Sequence, residues 1–78
     1  MEDMEPDKRV DCLGLYCPEP IFRTRIALDE MESGEILEVT ADDPAAEEDI
    51  PRLVNRLGHK LLSQESENGV LKFLIKKK

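Results

Sequence analysis

The chain has 78 residues, of which 40% are hydrophobic and 37% charged, which suits one small globular domain and leaves no room for a second. Only 4% of the residues are aromatic, so the core must be aliphatic. The net charge of -7 argues against direct nucleic-acid binding, because phosphate backbones are bound through clustered Lys and Arg, and the basic run at residues 76–78 is predicted to be a solvated tail.

The amino terminus is acidic and shows no hydrophobic periodicity, so we expect residues 1–7 to be disordered and a single domain to span residues 8–78. It has neither the basic nor the apolar region of a signal peptide. No run in the chain approaches the roughly 18 apolar residues that cross a bilayer. With only two cysteines, these features predict a cytoplasmic protein that does not bind membranes.

A first strand is predicted around Val10 and Cys12, which alternate with polar Asp11 until Gly14 breaks the pattern. Cys12 shares a face with Val10, so we interpret it as a small core residue. If its side chain pointed toward the following helix, it would instead be placed to capture an oxidised Cys17.

Cys17 lies directly before Pro18, where the chain is expected to pass from the strand into a helix. A residue before proline is pushed out of the α region and proline suits a first helical turn, so Cys17 is predicted to be an N-cap or N′ residue. The positive end of the helix dipole favours the thiolate there, although Glu19 partly opposes it. We therefore expect a lowered pKa for the Cys17 thiol, which makes Cys17 the candidate catalytic nucleophile.

The first helix is predicted over about residues 18–31. The apolar stripe that we expect to lie on the sheet consists of Ile21, Thr24, Ala27, Leu28 and Met31. Phe22 and Ile26 fall on another flank, where we favour packing against the second helix over an apolar landing site beside the cysteine. Arg23 and Arg25 project away from the stripe near the thiol, where they serve either solubility or a function, namely the attraction of an acidic partner or the stabilisation of a sulfur anion at the cysteine.

The first helix is expected to end at Ser33 and Gly34, with the glycine in a left-handed conformation. Residues 35–41 then alternate, which makes them the clearest half-buried strand in the chain. The residues predicted to face inward are Leu37, Val39 and Ala41. A strand, a helix and a strand in this order predict a parallel pair joined by a right-handed crossover.

Asp42 and Asp43 look like a carboxylate pair for metal or acid–base chemistry, but no third oxygen ligand is in view. We favour Asp43 as the cap of a second helix that has Pro44 at its first position. That helix has an apolar stripe made of Ile50, Leu53, Val54 and Leu57. Pro51 interrupts it, so either the helix kinks there or Asp49 caps a second start.

His59 follows the second helix. A Cys–His nucleophile would also need an oxyanion hole and an orienting partner, so we assign His59 a structural or junction role. The last two strands are predicted at residues 60–65 and 70–75, joined by Asn68-Gly69, a strong hairpin signal. In the final strand the residues expected to face inward are Leu71, Phe73 and Ile75.

Four segments carry a family resemblance: Gly14-Leu15-Tyr16-Cys17-Pro18-Glu19-Pro20, Thr40-Ala41-Asp42-Asp43-Pro44-Ala45, Asp49-Ile50-Pro51 and Gly58-His59. Over about residues 10–76 the chain resembles the TusA/SirA-like family of small sulfur-carrier proteins. The resemblance implies a two-layer α/β (α+β) sandwich of order βαβαββ, with a persulfide carried on Cys17. It also implies a cysteine desulfurase as the sulfur donor and a downstream sulfur-relay or thiolation protein as the acceptor. The family commonly has Arg where this chain has Tyr16.

We therefore predict a four-stranded mixed sheet with two helices on one face, and a sulfurtransferase-type persulfide carrier rather than an enzyme with independent turnover. No cofactor is expected beyond the transient persulfide on Cys17. No metal is expected, because Cys12, Cys17 and His59 are too few ligands for a zinc site. The final acceptor stays open among tRNA thiolation (2-thiouridine synthesis), other sulfur trafficking and selenium handling. The alternative function is a small redox-switch or regulatory binding module that uses Cys12 and Cys17.

Overall fold

The computed structural model describes residues 5–78. The elements, in chain order, are β1 (Lys8–Cys12), α1 (Glu19–Asp29), β2 (Ile36–Ala41), α2 (Ala46–Leu57), β3 (Lys60–Glu67) and β4 (Val70–Lys76). The strands form one sheet in the order β1-β2-β4-β3, in which β1 and β2 are parallel and the other neighbours are antiparallel. This confirms the predicted order βαβαββ and the mixed four-stranded sheet. None of the helices in the described part of the chain is long and apolar enough to cross a membrane.

The core lies between the sheet and the two helices, which cover the same face. On the sheet side, Leu37 pairs with Ile75 and Val39 with Phe73, so their side chains share one face, and all four are fully buried. The whole buried cluster consists of Cys12, Ala27, Leu28, Met31, Leu37, Val39, Ala41, Ala46, Ile50, Val54, Leu71, Phe73 and Ile75. The inward faces predicted for β2 and β4 are confirmed.

The amino-terminal part of the described chain is joined to β2. Residues 1–4 of the segment expected to be disordered lie outside the described residues. Asp7, however, already pairs with the next strand: its N–H donates to the carbonyl oxygen of Ile36 at 2.7 Å, and its Oδ2 accepts from the Ile36 N–H at 2.8 Å. The hydrogen-bonded chain therefore begins one residue before Lys8.

Helix α1 is shorter than predicted at both ends, since Pro18 is its N-cap and Glu30 its C-cap. Such differences are usual at helix termini, where the last turns leave the regular hydrogen-bond pattern. Most of the predicted stripe is nonetheless buried, and only Ile21 is partly exposed. The stripe therefore packs on the sheet as expected.

The start of α2 corrects a prediction. The helix begins at Ala46 rather than Pro44, and its N-cap Ala45 makes no side-chain hydrogen bond. Asp43 caps the preceding turn instead, because its Oδ1 accepts the N–H of Ala45 at 3.1 Å. This short-range bond is the Asx-turn geometry that Asp favours two residues before a donor.

Pro51 lies inside one continuous helix, so Asp49 does not cap a second start. Because proline has no N–H, the carbonyl of Glu47 loses its usual partner within the helix. That oxygen accepts a hydrogen bond from Nε2 of Gln64 in β3 at 3.0 Å. Gln64 thereby satisfies the acceptor that Pro51 leaves free and joins α2 to the edge of the sheet.

The β3–β4 hairpin has the predicted two-residue turn. Asn68 and Gly69 both have positive φ, at 53° and 82°, which is the conformation of a type I′ turn. Both strands are longer than predicted, and a register irregularity between Leu61 and Ser63 interrupts the ladder. The turn thus confirms the hairpin signal.

His59 joins α2 to the carboxyl terminus. Its Nδ1 accepts a hydrogen bond from the backbone N–H of Lys78 at 3.0 Å, and its own N–H donates to the Val54 carbonyl at 3.0 Å. Desolvation, followed by the charges of Lys77 and Lys78, lowers the pKa of the His59 imidazole. These contacts give His59 the predicted junction role.

Acidification should weaken the fold through His59. Its folded-state pKa is depressed, so its contribution to stability is present above the unfolded value of about 6.5 and is lost as the pH falls below it. Protonation of Nδ1 also removes the acceptor for Lys78. Urea unfolding of wild type and His59→Gln across this window checks the effect: the stability difference between them should change as the pH falls, and a constant difference would contradict it.

Candidate functional site

Cys17 lies in the exposed loop between β1 and α1, immediately before the N-cap Pro18, so it occupies the predicted N′ position. Two backbone hydrogen bonds frame this loop. The Leu15 N–H donates to the Cys12 carbonyl at 3.2 Å, and the Glu19 N–H donates to the Tyr16 carbonyl at 2.8 Å. The thiol is therefore both open to solvent and carried on a defined loop.

Two carboxylates from the β2–α2 loop hold the cysteine loop in place. Asp42 Oδ1 accepts the Gly14 N–H at 3.0 Å, and Asp43 Oδ2 accepts the Cys17 N–H at 2.8 Å. The fold brings them together because β1 and β2 are parallel and end at the same edge, with Cys12 opposite Ala41. This role was not predicted from the sequence, which favoured Asp43 as a helix cap, although the predicted parallel βαβ unit already placed the two loops side by side.

Asp49 is the third carboxylate at the site, and its role there was not predicted from the sequence either. It lies half-buried in the first turn of α2, and its Oδ2 is 3.7 Å from the Cys17 Sγ, within hydrogen-bond range for a sulfur donor. The neutral thiol can donate this bond, whereas the thiolate cannot. The contact therefore favours the protonated form of Cys17.

The electrostatics at Cys17 correct the predicted activation. Partial desolvation, then the charge of Asp49 and its hydrogen bond, then the charge of Asp43, raise the pKa of the Cys17 thiol. We expected the dipole of α1 to lower this pKa. Desolvation and the two nearby carboxylates act against the partial charge of a helix end whose first turn is depleted of N–H donors by Pro18 and Pro20. In the free protein, these surroundings therefore favour the neutral thiol of Cys17 over the thiolate.

Cys12 is a core residue and does not form a disulfide with Cys17. It is fully buried among the strands and helices, and both cysteines are free thiols. Burial is the main cause that raises the pKa of the Cys12 thiol. The structure thus supports the predicted core role and gives Cys12 little access to the surface.

Large apolar side chains are exposed around Cys17 and along α1: Leu13, Tyr16, Phe22 and Ile26 are 45%, 74%, 54% and 58% exposed. The favoured prediction that Phe22 and Ile26 pack against α2 is therefore wrong. These two side chains instead line an open groove of about 570 Å³ between α1 and the edge strand β1, together with Val10 and Ala27. We call the exposed side chains of Leu13, Tyr16, Phe22 and Ile26 the apolar rim.

Charged side chains beside the rim are largely paired. Arg23 lies 3.5 Å from Glu19 one helical turn away, and Lys8 lies 2.7 Å from Glu30 across the groove. Such exposed pairs contribute about 0–1 kcal/mol each, so the groups remain available to a partner. Within residues 5–78, no three His, Cys, Asp or Glu side chains are grouped so as to hold a metal ion.

The chain is similar to known proteins over nearly its whole length. A family model described as "Sulfurtransferase TusA" matches residues 8–77. The chain is 61% identical over 70 residues to the "Putative sulfur carrier protein" of Archaeoglobus fulgidus, which covers 88% of this chain and 91% of that protein. It is 49% identical over 74 residues to "Putative sulfur carrier protein YrkI" of Bacillus subtilis, with coverages of 95% and 99%.

Two further matches extend the likeness to full length and to the fold. The chain is 41% identical over 78 residues to "Sulfur carrier protein TusA" of Pseudomonas putida, covering 100% of this chain and 98% of that protein. The crystal structure of a SirA-like protein from Desulfitobacterium hafniense superposes with a TM-score of 0.78 at 28% identity, covering 88% and 95% of the two chains. The resemblance read from the Cys-Pro-x-Pro and Asp-Asp-Pro motifs is confirmed, and the chain belongs to the TusA family.

Proposed function

We propose that this protein is a sulfur carrier that holds its cargo as a persulfide on Cys17, receives it from a cysteine desulfurase and passes it to a downstream relay or thiolation protein. The observation that carries the proposal is the exposed Cys17 thiol on a loop anchored by Asp43. The relatives named sulfur carriers support it. Thiolation of tRNA is one destination that this function would serve.

The chemistry needs only an accessible thiol and a partner. In loading, the Cys17 thiolate attacks the terminal sulfur of the donor persulfide, the donor S–S bond breaks, and the donor cysteine leaves as a thiolate. In delivery, an acceptor thiolate attacks the outer sulfur and Cys17 leaves as a thiolate. One S–S bond forms and one breaks in each step, so no external oxidant or reductant is required.

Docking would supply both specificity and activation. The apolar rim, with Tyr16 and Phe22, offers surface that a partner would bury, and Arg23 adds a charged contact at its border. Because the free thiol is mainly neutral, a partner that brings a cationic group near Asp49 would raise the thiolate fraction at the moment of transfer. A free Cys17 is maintained in a reducing compartment, so we place this function in the cytoplasm.

The redox-switch alternative is less well supported. A Cys12–Cys17 disulfide would require the fully buried Cys12 side chain to leave the core. That movement would expose apolar surface and open the packing beneath β1. A carrier mechanism needs no such rearrangement.

Intact-protein mass spectrometry after incubation with a cysteine desulfurase and free cysteine tests the proposal. Wild type and Cys12→Ser should each gain the mass of one sulfur atom, and dithiothreitol should remove it. Cys17→Ser should gain none, since serine cannot form the persulfide. Loading that persists in Cys17→Ser, or that is lost only in Cys12→Ser, would contradict the carrier mechanism and favour the redox switch.

A further inference from the structure

The contact between Cys17 and Asp49 gives the unloaded side chain a defined place. The sulfur lies 3.7 Å from Asp49 Oδ2, while the backbone N–H of the same residue is held by Asp43 at 2.8 Å. Backbone and side chain of Cys17 are therefore fixed by two different carboxylates. Asp49 lies in the first turn of α2, where the positive helix end favours its negative charge.

We propose that Asp49 is a positioning residue that binds the Cys17 side chain in its unloaded form and releases it when Sγ becomes bonded to a second sulfur. The proposal rests on the proposed carrier function, because only a carrier has a loaded form. The contact between Cys17 and Asp49 itself is a feature of the unloaded protein.

The release follows from the hydrogen-bond inventory of sulfur. A thiol has one S–H that can donate to a carboxylate, so unloaded Cys17 and Asp49 attract each other. In the loaded form, Sγ is bonded to Cβ and to the outer sulfur and carries no proton. At Sγ the carboxylate then faces only lone pairs, so the hydrogen bond that held this atom is lost, and an ionised outer sulfur would be repelled by both Asp49 and Asp43.

The remaining surroundings determine where the loaded side chain goes. On the α1 side, the acidic side chain nearest to Cys17 in sequence is Glu19. Its carboxylate lies 3.5 Å from the Arg23 guanidinium, which offsets its charge. On the loop side, the exposed side chains of Leu13 and Tyr16 are apolar. The outer sulfur therefore turns from α2 toward the apolar rim, where a docked acceptor would meet it. Loaded and unloaded carriers thus present different surfaces to their partners.

The test compares wild type with Asp49→Asn and with Glu48→Gln as a matched control. Glu48 lies in the same helical turn, is exposed and pairs with Arg52 at 3.3 Å, so Glu48→Gln removes the same charge without touching Cys17. The first measurement is the pH dependence of Cys17 alkylation by iodoacetamide. The midpoint should move to lower pH in Asp49→Asn and stay near wild type in Glu48→Gln. If the alkylation midpoint falls by about one pH unit, the thiolate becomes about tenfold more abundant at pH values below both midpoints.

The second measurement follows the Asp49 side-chain carboxyl carbon by NMR before and after Cys17 is capped with methyl methanethiosulfonate. This probe replaces S–H by S–S at Sγ without any partner protein. The Asp49 signal should shift on capping, while that of Glu48 should not. An unchanged alkylation midpoint in Asp49→Asn, or an Asp49 signal that ignores capping, would overturn the positioning role. If both results are as expected but no desulfurase loads Cys17, the carrier function fails and the Asp49 contact stands.

Discussion

The Phe73→Ala variant should lose about 3–5 kcal/mol of unfolding free energy, the usual cost of removing a fully buried aromatic ring. Phe73 is the largest fully buried side chain and pairs with Val39 in the middle of the sheet. The described part of the chain has few other large side chains to close the cavity, because its core is otherwise aliphatic. Since the free energy of unfolding of small domains is only about 5–15 kcal/mol in total, this loss would remove much of the stability.

Urea unfolding measures the effect, with Leu74→Ala as the control. Leu74 is the next residue in β4, faces the opposite side of the sheet and is half-buried, so its truncation should cost much less. If Phe73→Ala does not fold, Phe73→Leu keeps the test usable, because leucine retains most of the buried apolar atoms and leaves a smaller cavity than alanine. Equal losses of unfolding free energy in Phe73→Ala and Leu74→Ala would show that the core is not on the assigned face of the sheet.

The periodic elements could be predicted from the sequence because burial imposes a period on it. The inward residues of β2 and β4, such as Leu37 and Phe73, followed from period-two alternation. The hairpin followed from Asn68-Gly69, whose residues tolerate positive φ. The helix stripes followed in the same way, while their ends were displaced by one or two residues.

The site was harder to predict because its contacts join residues far apart in sequence. Cys17 was found from its Pro18 neighbour, a local signal. Asp43 and Asp49 lie 26 and 32 residues away, and the tertiary fold brings them to Cys17 through the pairing of β1 with β2 and the position of α2. The expected direction of the Cys17 pKa was wrong because the prediction considered the local helix dipole and left out desolvation of the thiol and the two distant carboxylates.

The exposed flank of α1 shows a second limit of periodicity. Phe22 and Ile26 lie four residues apart and predict an apolar contact, but the pattern does not identify the partner. In the structure they line the groove beside β1 rather than meeting α2. An exposed apolar flank has the same spacing as a helix–helix contact, so the sequence pattern alone does not distinguish the two.

The Asp43→Ala variant should be less stable than wild type by about 1.5–3 kcal/mol, because it removes a charged acceptor of two backbone hydrogen bonds. Asp43 accepts the Cys17 N–H at 2.8 Å with one oxygen and the Ala45 N–H at 3.1 Å with the other. Its loss would free the cysteine loop and the turn before α2 together. Asp42→Ala is the matched control, since it removes only the bond to the Gly14 N–H.

Urea unfolding together with amide hydrogen exchange separates these effects. Exchange at Cys17 and Ala45 should accelerate in Asp43→Ala, whereas in Asp42→Ala the increase should be confined to Gly14. Asp43→Asn should lie between Asp43→Ala and wild type, because its single carbonyl oxygen can still accept one of the two bonds. Unchanged exchange at Cys17 in Asp43→Ala would contradict the role of Asp43 as an anchor of the cysteine loop.

Because Asp43 is a lesser cause of the raised Cys17 pKa than Asp49, its removal should move the alkylation midpoint less than Asp49→Asn does. Together the two variants would show that one carboxylate mainly fixes the backbone of the cysteine and the other mainly controls its thiol.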